Sequence, residues 1–202
     1  MGKVIAGITT SVDGYTTGPD DGPGKGLGTG GERLHNWVFG GPWSYDAEPA
    51  GSPTGEDQVW LDSVLAGLGA VVGGRCTYEA ADHWGDVNPW GVPFFIVTHR
   101  PDEQPAGGAF TFVNGVPEAI AKAREVAGDE NVHVMGGADV IRQSLAAGLV
   151  DELTIIVAPV ILGAGKRLFD GFAQPLELHH LGVRQSPLAT FIDYRVGSSI
   201  SS

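Results

Sequence analysis

Cysteine is nearly missing from this chain: Cys76 stands alone in 202 residues. No intrachain disulfide is possible, which fits a reducing cytosol, and the lone thiol is expected to be a buried structural group. Basic residues are scarce too, with 12 Lys and Arg against 24 Asp and Glu and a formal charge of −12. So acidic a surface repels nucleic acid and anionic membrane, and both are excluded as partners. A small anion held by a local cationic cluster is not excluded. No apolar run nears the roughly 20 residues that span a membrane, and the N-terminus enters a strand-like VIAGI with no signal-peptide layout. No His or Cys spacing suggests a metal: His179 and His180 are adjacent on a strand and face opposite sides. No Gly-Lys pair continues into a P-loop, and no internal repeat is found.

What is present reads as a single globular domain over residues 1–202, hydrophobic at 42% and charged at 18%. Gly at 32 and Pro at 13 signal long loops. The longest is an insert over 19–55, and residues 197–202 read as a flexible tail. Gly26, Gly28 and Gly31 in that insert match GxGxxG formally. The approach, PDDGPGKG, is turn-forming and no apolar strand feeds it, so this is a loop and not a dinucleotide fingerprint. Lys3 to Thr9 is apolar on both faces and reads as a central strand. Strands are expected over Ala70–Val72, Phe94–Thr98, Ala109–Val113, Val132–Met135 and Asp151–Val160. An antiparallel hairpin is expected from Leu176–Arg184 and Ala189–Val196. Helices alternate with these strands: Glu56–Leu65, with Val59, Trp60, Ser63 and Val64 inward; one opening at GGRCTYEAA; Pro117–Ala127, stopped by Gly128; and Ala138–Ala147, with Val140, Ile141, Ser144 and Leu145 on one face and Gly148 as its stop. Glu32–Phe39 reads as a short helix or a lid. The alternation predicts a three-layer α/β/α fold, its central sheet mostly parallel with an antiparallel C-terminal edge hairpin.

Three strand-end motifs share one chemistry. VVGGRCTYE puts Gly74, Arg75 and Thr77 at a helix start after a strand. IVTHR puts Thr98, His99 and Arg100 just past another. VMGGADV puts Gly136 and Gly137 before the N-terminus of a third helix, where free backbone N–H groups and the helix dipole suit a phosphate. Ligands of open α/β sheets bind beyond the carboxyl ends of the strands. Arg75 and Arg100 there would fork onto phosphate.

The order SVDG, GGRCTYE, VTHR, VMGGADVIRQSLAAGLVDEL and PVILGAGKRLF resembles the dihydrofolate-reductase-like family. It is most similar to the reductase domain of the bifunctional riboflavin-biosynthesis deaminase/reductase and its stand-alone relatives, from Lys3 to about Val196. The resemblance implies a cytoplasmic, NADPH-dependent reductase. Carried over residue by residue, it puts the adenosine side and its 2′-phosphate on Gly74, Arg75, Thr77, Thr98, His99 and Arg100. It puts the pyrophosphate at Gly136 and Gly137, with Ala138, Asp139, Val140 and Ile141 beside them, and the nicotinamide by Ala6, Asp13 and Gly14, with Tyr15 and Thr16. It also implies a homodimer, with DELTIIVAPV and the C-terminal strands as interface candidates. The chain departs from the family in three ways. It has no zinc-deaminase half. Met135 stands where riboflavin-pathway reductases commonly carry Glu, which argues against the same ribosylaminopyrimidine substrate. The insert has no counterpart, and it is expected to build the substrate pocket.

Asp57, on the helix before GGRCTYE, is the candidate to orient an amidine or feed a proton to a reduced C=N group; a dipole-favoured acid is the alternative. Asp13 is the second catalytic candidate, or an Asx-turn with Gly14. Trp37 and Trp84 are candidates to stack on a flat substrate, with Trp43 behind them, unless they are core. His35 and His83 are possible proton donors or simply satisfied polar groups. The expected reaction is hydride transfer from nicotinamide C4 to a C=N or C=O carbon of a small pterin- or pyrimidine-like heterocycle or a carbonyl compound. A nucleotide-binding protein without turnover and a flavin-linked variant are the rivals.

Overall fold

Strand β1 (Val4–Ser11) is buried on both faces because it lies inside the sheet, as its unbroken apolar run requires. The computed structural model describes residues 2–47, 49, 51–173 and 175–199. After β1 come β2 (Tyr15–Thr17), α1 (Glu56–Ala66), β3 (Leu68–Gly74), α2 (Arg75–Ala80), β4 (Phe94–Thr98), β5 (Thr111–Asn114) and α3 (Val116–Ala127). Then follow β6 (Asn131–Gly136), α4 (Ala138–Ala146), β7 (Glu152–Ala158), β8 (Lys166–Arg167), β9 (Leu176–Gln185) and β10 (Thr190–Ser199). The main sheet runs β5-β4-β3-β6-β1-β7-β10-β9. From β5 to β7 the pairs are parallel, and β10 is antiparallel to both β7 and β9. The fold is dihydrofolate-reductase-like, three layers around a mostly parallel sheet with an antiparallel edge.

Helices α3 and α4 cover one face. Ala119, Ile120 and Ala123 of α3 and Ile141 and Leu145 of α4 pack on Val4, Ala6, Val72, Val132 and Val134. All four residues expected on the inner side of α4 are buried, and Gly148 follows that helix at φ +64. The opposite face carries two separate aromatic cores. Tyr78 of α2 joins Phe94, Phe110 and Phe112, while Trp60 of α1 joins Trp37, Ile156 and Phe191.

Three expectations change. Helix α1 buries Asp57 and Trp60, whereas Val59 is 52% exposed and Ser63 is also outside. The inward stripe is 57, 60, 61 and 64, a helical spacing whose first member is an acid, so counting apolar residues displaced it. Strand β10 continues to Ser199, pairing Ser199 with Leu176, so a frayed tail does not begin at 197. Residues 200–202 lie outside the described residues. Cys76 is exposed on α2, because the inward position of that short helix is taken by Tyr78. Among the described residues no helix is long and apolar enough to cross a membrane, and no cluster of metal-ligating side chains occurs.

His133 of β6 stands between the two aromatic cores. A Cβ on Gly7 would lie 2.9 Å from its Cε1 and 3.5 Å from Trp60 Cζ2, so β1 needs glycine there. Its Nδ1 has no partner among the described residues, and burial holds its pKa down to about 4. The folded state therefore refuses a proton that the unfolded chain takes at about 6.5. Stability from this group is complete above pH 6.5 and is lost as pH falls toward 4, a change of up to about 3 kcal/mol. The difference in urea-unfolding free energy between wild type and His133→Gln should shift by that order between pH 7.5 and 4.5. A constant difference would mean that His133 is protonated in the fold.

Candidate functional site

Strands β3 and β6 are neighbours, and both end in glycine at the carboxyl edge of the parallel sheet, with Gly73 beside Gly136. Gly136 has φ +116, a conformation that side chains rarely adopt, and the Gly136–Gly137 peptide is cis. A Cβ on Gly137 would sit 3.3 Å from Thr77 Oγ1, and one on Gly74 would sit 3.0 Å from Val140 Cγ2 and 3.6 Å from Gly137 N. Two of the three strand-end motifs thus meet backbone to backbone, in a cradle that side chains would fill. Gly137 is the N-cap of α4 without a side-chain cap, and the helical bonding begins with Ile141 N–H donating to Gly137 O. The N–H groups of Ala138, Asp139 and Val140 precede that bond and are left to an outside acceptor. The side chains of Ala138, Val140 and Ile141 are buried in the core, so only their backbone can serve a ligand. Asp139 is exposed and accepts from Arg142 at 3.2 Å and Gln143 at 2.7 Å.

The third motif joins through Arg75. Its Nη1 donates to Thr98 Oγ1 at 3.4 Å, and the same hydroxyl accepts from the Arg100 backbone N–H at 3.1 Å. His99 and Arg100 are exposed at this edge. Neither guanidinium points freely outward. Arg75 Nε donates to Glu79 at 2.7 Å and Nη2 to Glu103, while Arg100 lies 3.3 Å from Glu103 and 4.0 Å from Glu79. The hydrogen bond from Arg75 holds the Glu103 carboxyl below its ordinary pKa. Glu79 and Glu103 were missed from sequence. The four-residue spacing of Arg75 and Glu79 is a signal that could have found the first.

Asp57, in the first turn of α1, lies by the β9–β10 turn, where Thr190 pairs with Val157 near the carboxyl end of β7. It is 3% exposed, and its Oδ1 has no partner among the described residues. Burial raises its pKa, opposed by a hydrogen bond from Ser186 in the β9–β10 turn. Asp13 is a different kind of acid. Its oxygens accept from the backbone N–H groups of Leu162 at 3.1 Å and Gly163 at 2.8 Å. A hydrogen bond from Ser11, then those from the 162–163 loop, lower its pKa to about 2. Asp13 is thus ionised at neutral pH and ties a loop, with no proton to give. Gly14, at φ +84, makes the turn beside it, and its carbonyl accepts from Leu168 N–H at 3.0 Å.

Several candidates belong to the core instead. The Ala6 side chain is fully buried under α3 and α4, and its register partner is Val134, two residues before Gly136. Ile8 is the β1 residue that meets the cradle: a Cβ on Gly136 would lie 3.5 Å from its Cδ1. Trp37 is 4% exposed, donates to Thr9 Oγ1 at 3.0 Å and meets Trp60 and Phe191 edge-on at 5.4 and 5.3 Å. It is a packing residue whose donor is spent, not a substrate platform. Trp84 is half-buried among Tyr78, Phe94 and Phe110, over β3 and β4. The insert is organised by its own contacts: Phe39, Trp43 and Tyr45 stack edge-on, and Trp43 Nε1 donates to Glu32 O at 2.8 Å. Its 3-10 turn, Gly31–His35, lies against β1, β2 and β7, close to the edge that carries the cradle.

Known proteins share this fold. The RibD C-terminal domain family matches residues 2–188. The uncharacterised protein YwjB of Bacillus subtilis strain 168 is 28% identical over 125 residues, 61% of this chain and 71% of YwjB. A protein named for riboflavin biosynthesis from Shewanella sp. PV-4 superposes with a TM-score of 0.71 at 22% identity, over 97% of this chain and 99% of that one. A pyrimidine reductase-like protein of Corynebacterium diphtheriae gives 0.59 at 18% identity, over 98% and 92%. Dihydrofolate reductase of Enterococcus faecalis, in complex with NADP(H) and RAB-propyl, gives 0.57 at 16% identity, over 97% of each chain. The chain therefore belongs to the RibD C-terminal domain family, and its fold is that of dihydrofolate reductase.

Proposed function

We propose that this protein is an NADPH-dependent reductase that delivers hydride to a C=N or C=O carbon of a small heterocycle. The observation that carries the reading is the cradle formed by the bare backbone of Gly74, Gly136 and Gly137 and the Thr77 hydroxyl at the N-terminus of α4. A pyrophosphate fits it: the cradle offers backbone N–H donors, a hydroxyl and a helix dipole, and it lacks the Cβ atoms that would block approach. The cofactor, when bound, supplies the hydride. This chain's own residues supply position and a proton. Arg75, Thr98 and Arg100 mark the adenosine end, and Gly136 with Ile8 of β1 beside it marks the other. Asp57 is the proton source, because burial favours its neutral form and its unpartnered oxygen leaves a site for a substrate nitrogen. Met135 at the end of β6 favours a substrate other than the riboflavin-pathway pyrimidine.

NADPH titration followed by nicotinamide fluorescence should saturate in the micromolar range, and Gly137→Val, whose side chain enters the cradle, should weaken binding by at least about tenfold. Thermal melting shows whether that variant still folds. No binding to wild type at high micromolar cofactor would sink the reading.

Asp57→Asn should lower kcat by about 100-fold, the usual contribution of a positioned acid. Its stability effect has the opposite sign. The raised pKa means that the fold binds the proton more tightly than the unfolded chain, so wild type loses stability as pH rises through that pKa. The variant escapes the loss and should be more stable at pH 8 by about 1 kcal/mol, with no gain at pH 3. Equal stability at both pH values would show that Asp57 is not held neutral.

A second copy of the chain is the proposed partner. Helices α3 and α4 pack on β3 to β6 and leave Ile155, Val157, Ile192 and Val183 of β7, β10 and β9 half-buried or exposed. A two-fold axis would lay this face on its own copy. Light scattering should give a dimer that Val183→Asp dissociates, and a wild-type monomer at working concentration would refute it.

A further inference from the structure

The carboxylate of Glu103 bridges two arginines. Its Oε2 accepts from Arg75 Nη2, and its Oε1 lies 3.3 Å from Arg100 Nη1. Two oxygens of one anion, each on its own guanidinium, is also how a phosphate monoester would be held by this pair. The other carboxylate in the cluster differs in kind. Glu79 sits four residues from Arg75 on the same helix, grips its Nε at 2.7 Å and lies only 4.0 Å from Arg100, so it is anchored to Arg75 by the helix and touches Arg100 weakly. Glu103 ends a three-residue 3-10 turn, Pro101–Glu103, and is half-exposed, so it can swing into solvent without disturbing the sheet. The seat is otherwise built for an anion. Thr98 Oγ1 lies within reach of both arginines' donors, and Phe112 supports the Arg75 guanidinium 5.5 Å from its ring centroid.

Its location matters as much as its chemistry. Strand β4 ends here and β6 ends at the glycine cradle, with β3 between them. Two strand spacings put the seats about 10 Å apart. One ligand carrying a pyrophosphate and a ribose phosphate can span both.

We propose that Glu103 is the cofactor-specificity residue of this site: its carboxylate occupies the seat of the ribose phosphate on Arg75 and Arg100. A 2′-phosphorylated dinucleotide binds there only by displacing Glu103, whereas its unphosphorylated counterpart leaves Glu103 in place. The inference rests on the dinucleotide reading given above. It follows that the preference for NADPH over NADH is weaker than two arginines would give alone, and that removing one negative charge strengthens it.

Calorimetric titration of the full chain with NADPH, NADH and adenosine 2′,5′-bisphosphate tests this at fixed ionic strength. Glu103→Gln should bind NADPH and the bisphosphate about tenfold more tightly. NADH affinity should stay within about twofold, as for a surface change away from the ligand. Glu103→Asp, which keeps the charge, should stay near wild type. Asp102→Asn, which removes a charge next door, should leave the NADPH to NADH ratio unchanged and so separates the seat from net charge. If Glu103→Gln tightens both dinucleotides equally, or neither, the assignment of Glu103 is overturned while the dinucleotide reading stands. If no dinucleotide binds wild type or any variant, both fall together.

Discussion

Two backbones meet without side chains at the ends of β3 and β6, and the functional edge depends on that contact. Gly73 pairs with Gly136, and added Cβ atoms at Gly74 and Gly137 would lie within 3.3 Å of Val140 and Thr77. The restriction is reciprocal. Helices α2 and α4 can begin side by side only because the strands feeding them end in glycine, and α4 lends its free N–H groups to the edge only because Gly137 does not cap them with a side chain. The core beneath makes this placement rigid. Val140, Ile141 and Leu145 anchor α4 on β6 and β1, so the cradle is held by buried apolar packing and not by a mobile loop.

Charge is arranged with the same economy. A chain with a net charge of −12 needs its cations where they count. Arg75 and Arg100 are gathered at one edge and then partly neutralised by Glu79 and Glu103. Left unpaired there, two arginines some few ångströms apart would repel each other and hold a disordered shell of counterions. Paired, they are pre-organised, at the cost of presenting a seat already taken. Asp13 shows the converse. An acid near the expected reaction centre is ionised by loop and hydroxyl hydrogen bonds, and it serves to close the 162–163 loop over β1.

Periodicity was readable wherever one element met one continuous apolar surface. The buried face of α4, its stop at Gly148, the central place of β1 and the antiparallel hairpin were all legible for that reason. The inward stripe of α1 was not, because it opens with a buried carboxylate that apolar counting treats as solvent-facing. Trp37 failed differently. It lies on an element that leads to the site, but sequence cannot tell an aromatic that stacks on a ligand from one that fills a core. Glu103 was hidden because its partners, Arg75 and Thr98, are distant in sequence and meet only once β3 and β4 pair.

The sheet face under α1 is divided. Its aromatic residues do not form one core. The Tyr78, Phe94 and Phe110 group covers β3 and β4, and the Trp37, Trp60 and Phe191 group covers β7 and β10. Between them run β6 and β1, and there β1 presents Gly7 and Thr9 with His133 of β6 alongside. At the amino end this gap widens into a cavity of about 260 Å³ lined by Ile5, Trp60, His133 and Thr154. At the carboxyl end it meets Gly136, with Asp57 buried at the start of α1 on the same side. A single continuous core would have been more stable, since each large side chain buried there contributes about 2 kcal/mol. Splitting it leaves β1 and β6 to pack Gly7, Thr9 and His133 beneath Trp60 and Trp37, so the seam between the two cores is closed by small and polar groups in van der Waals contact.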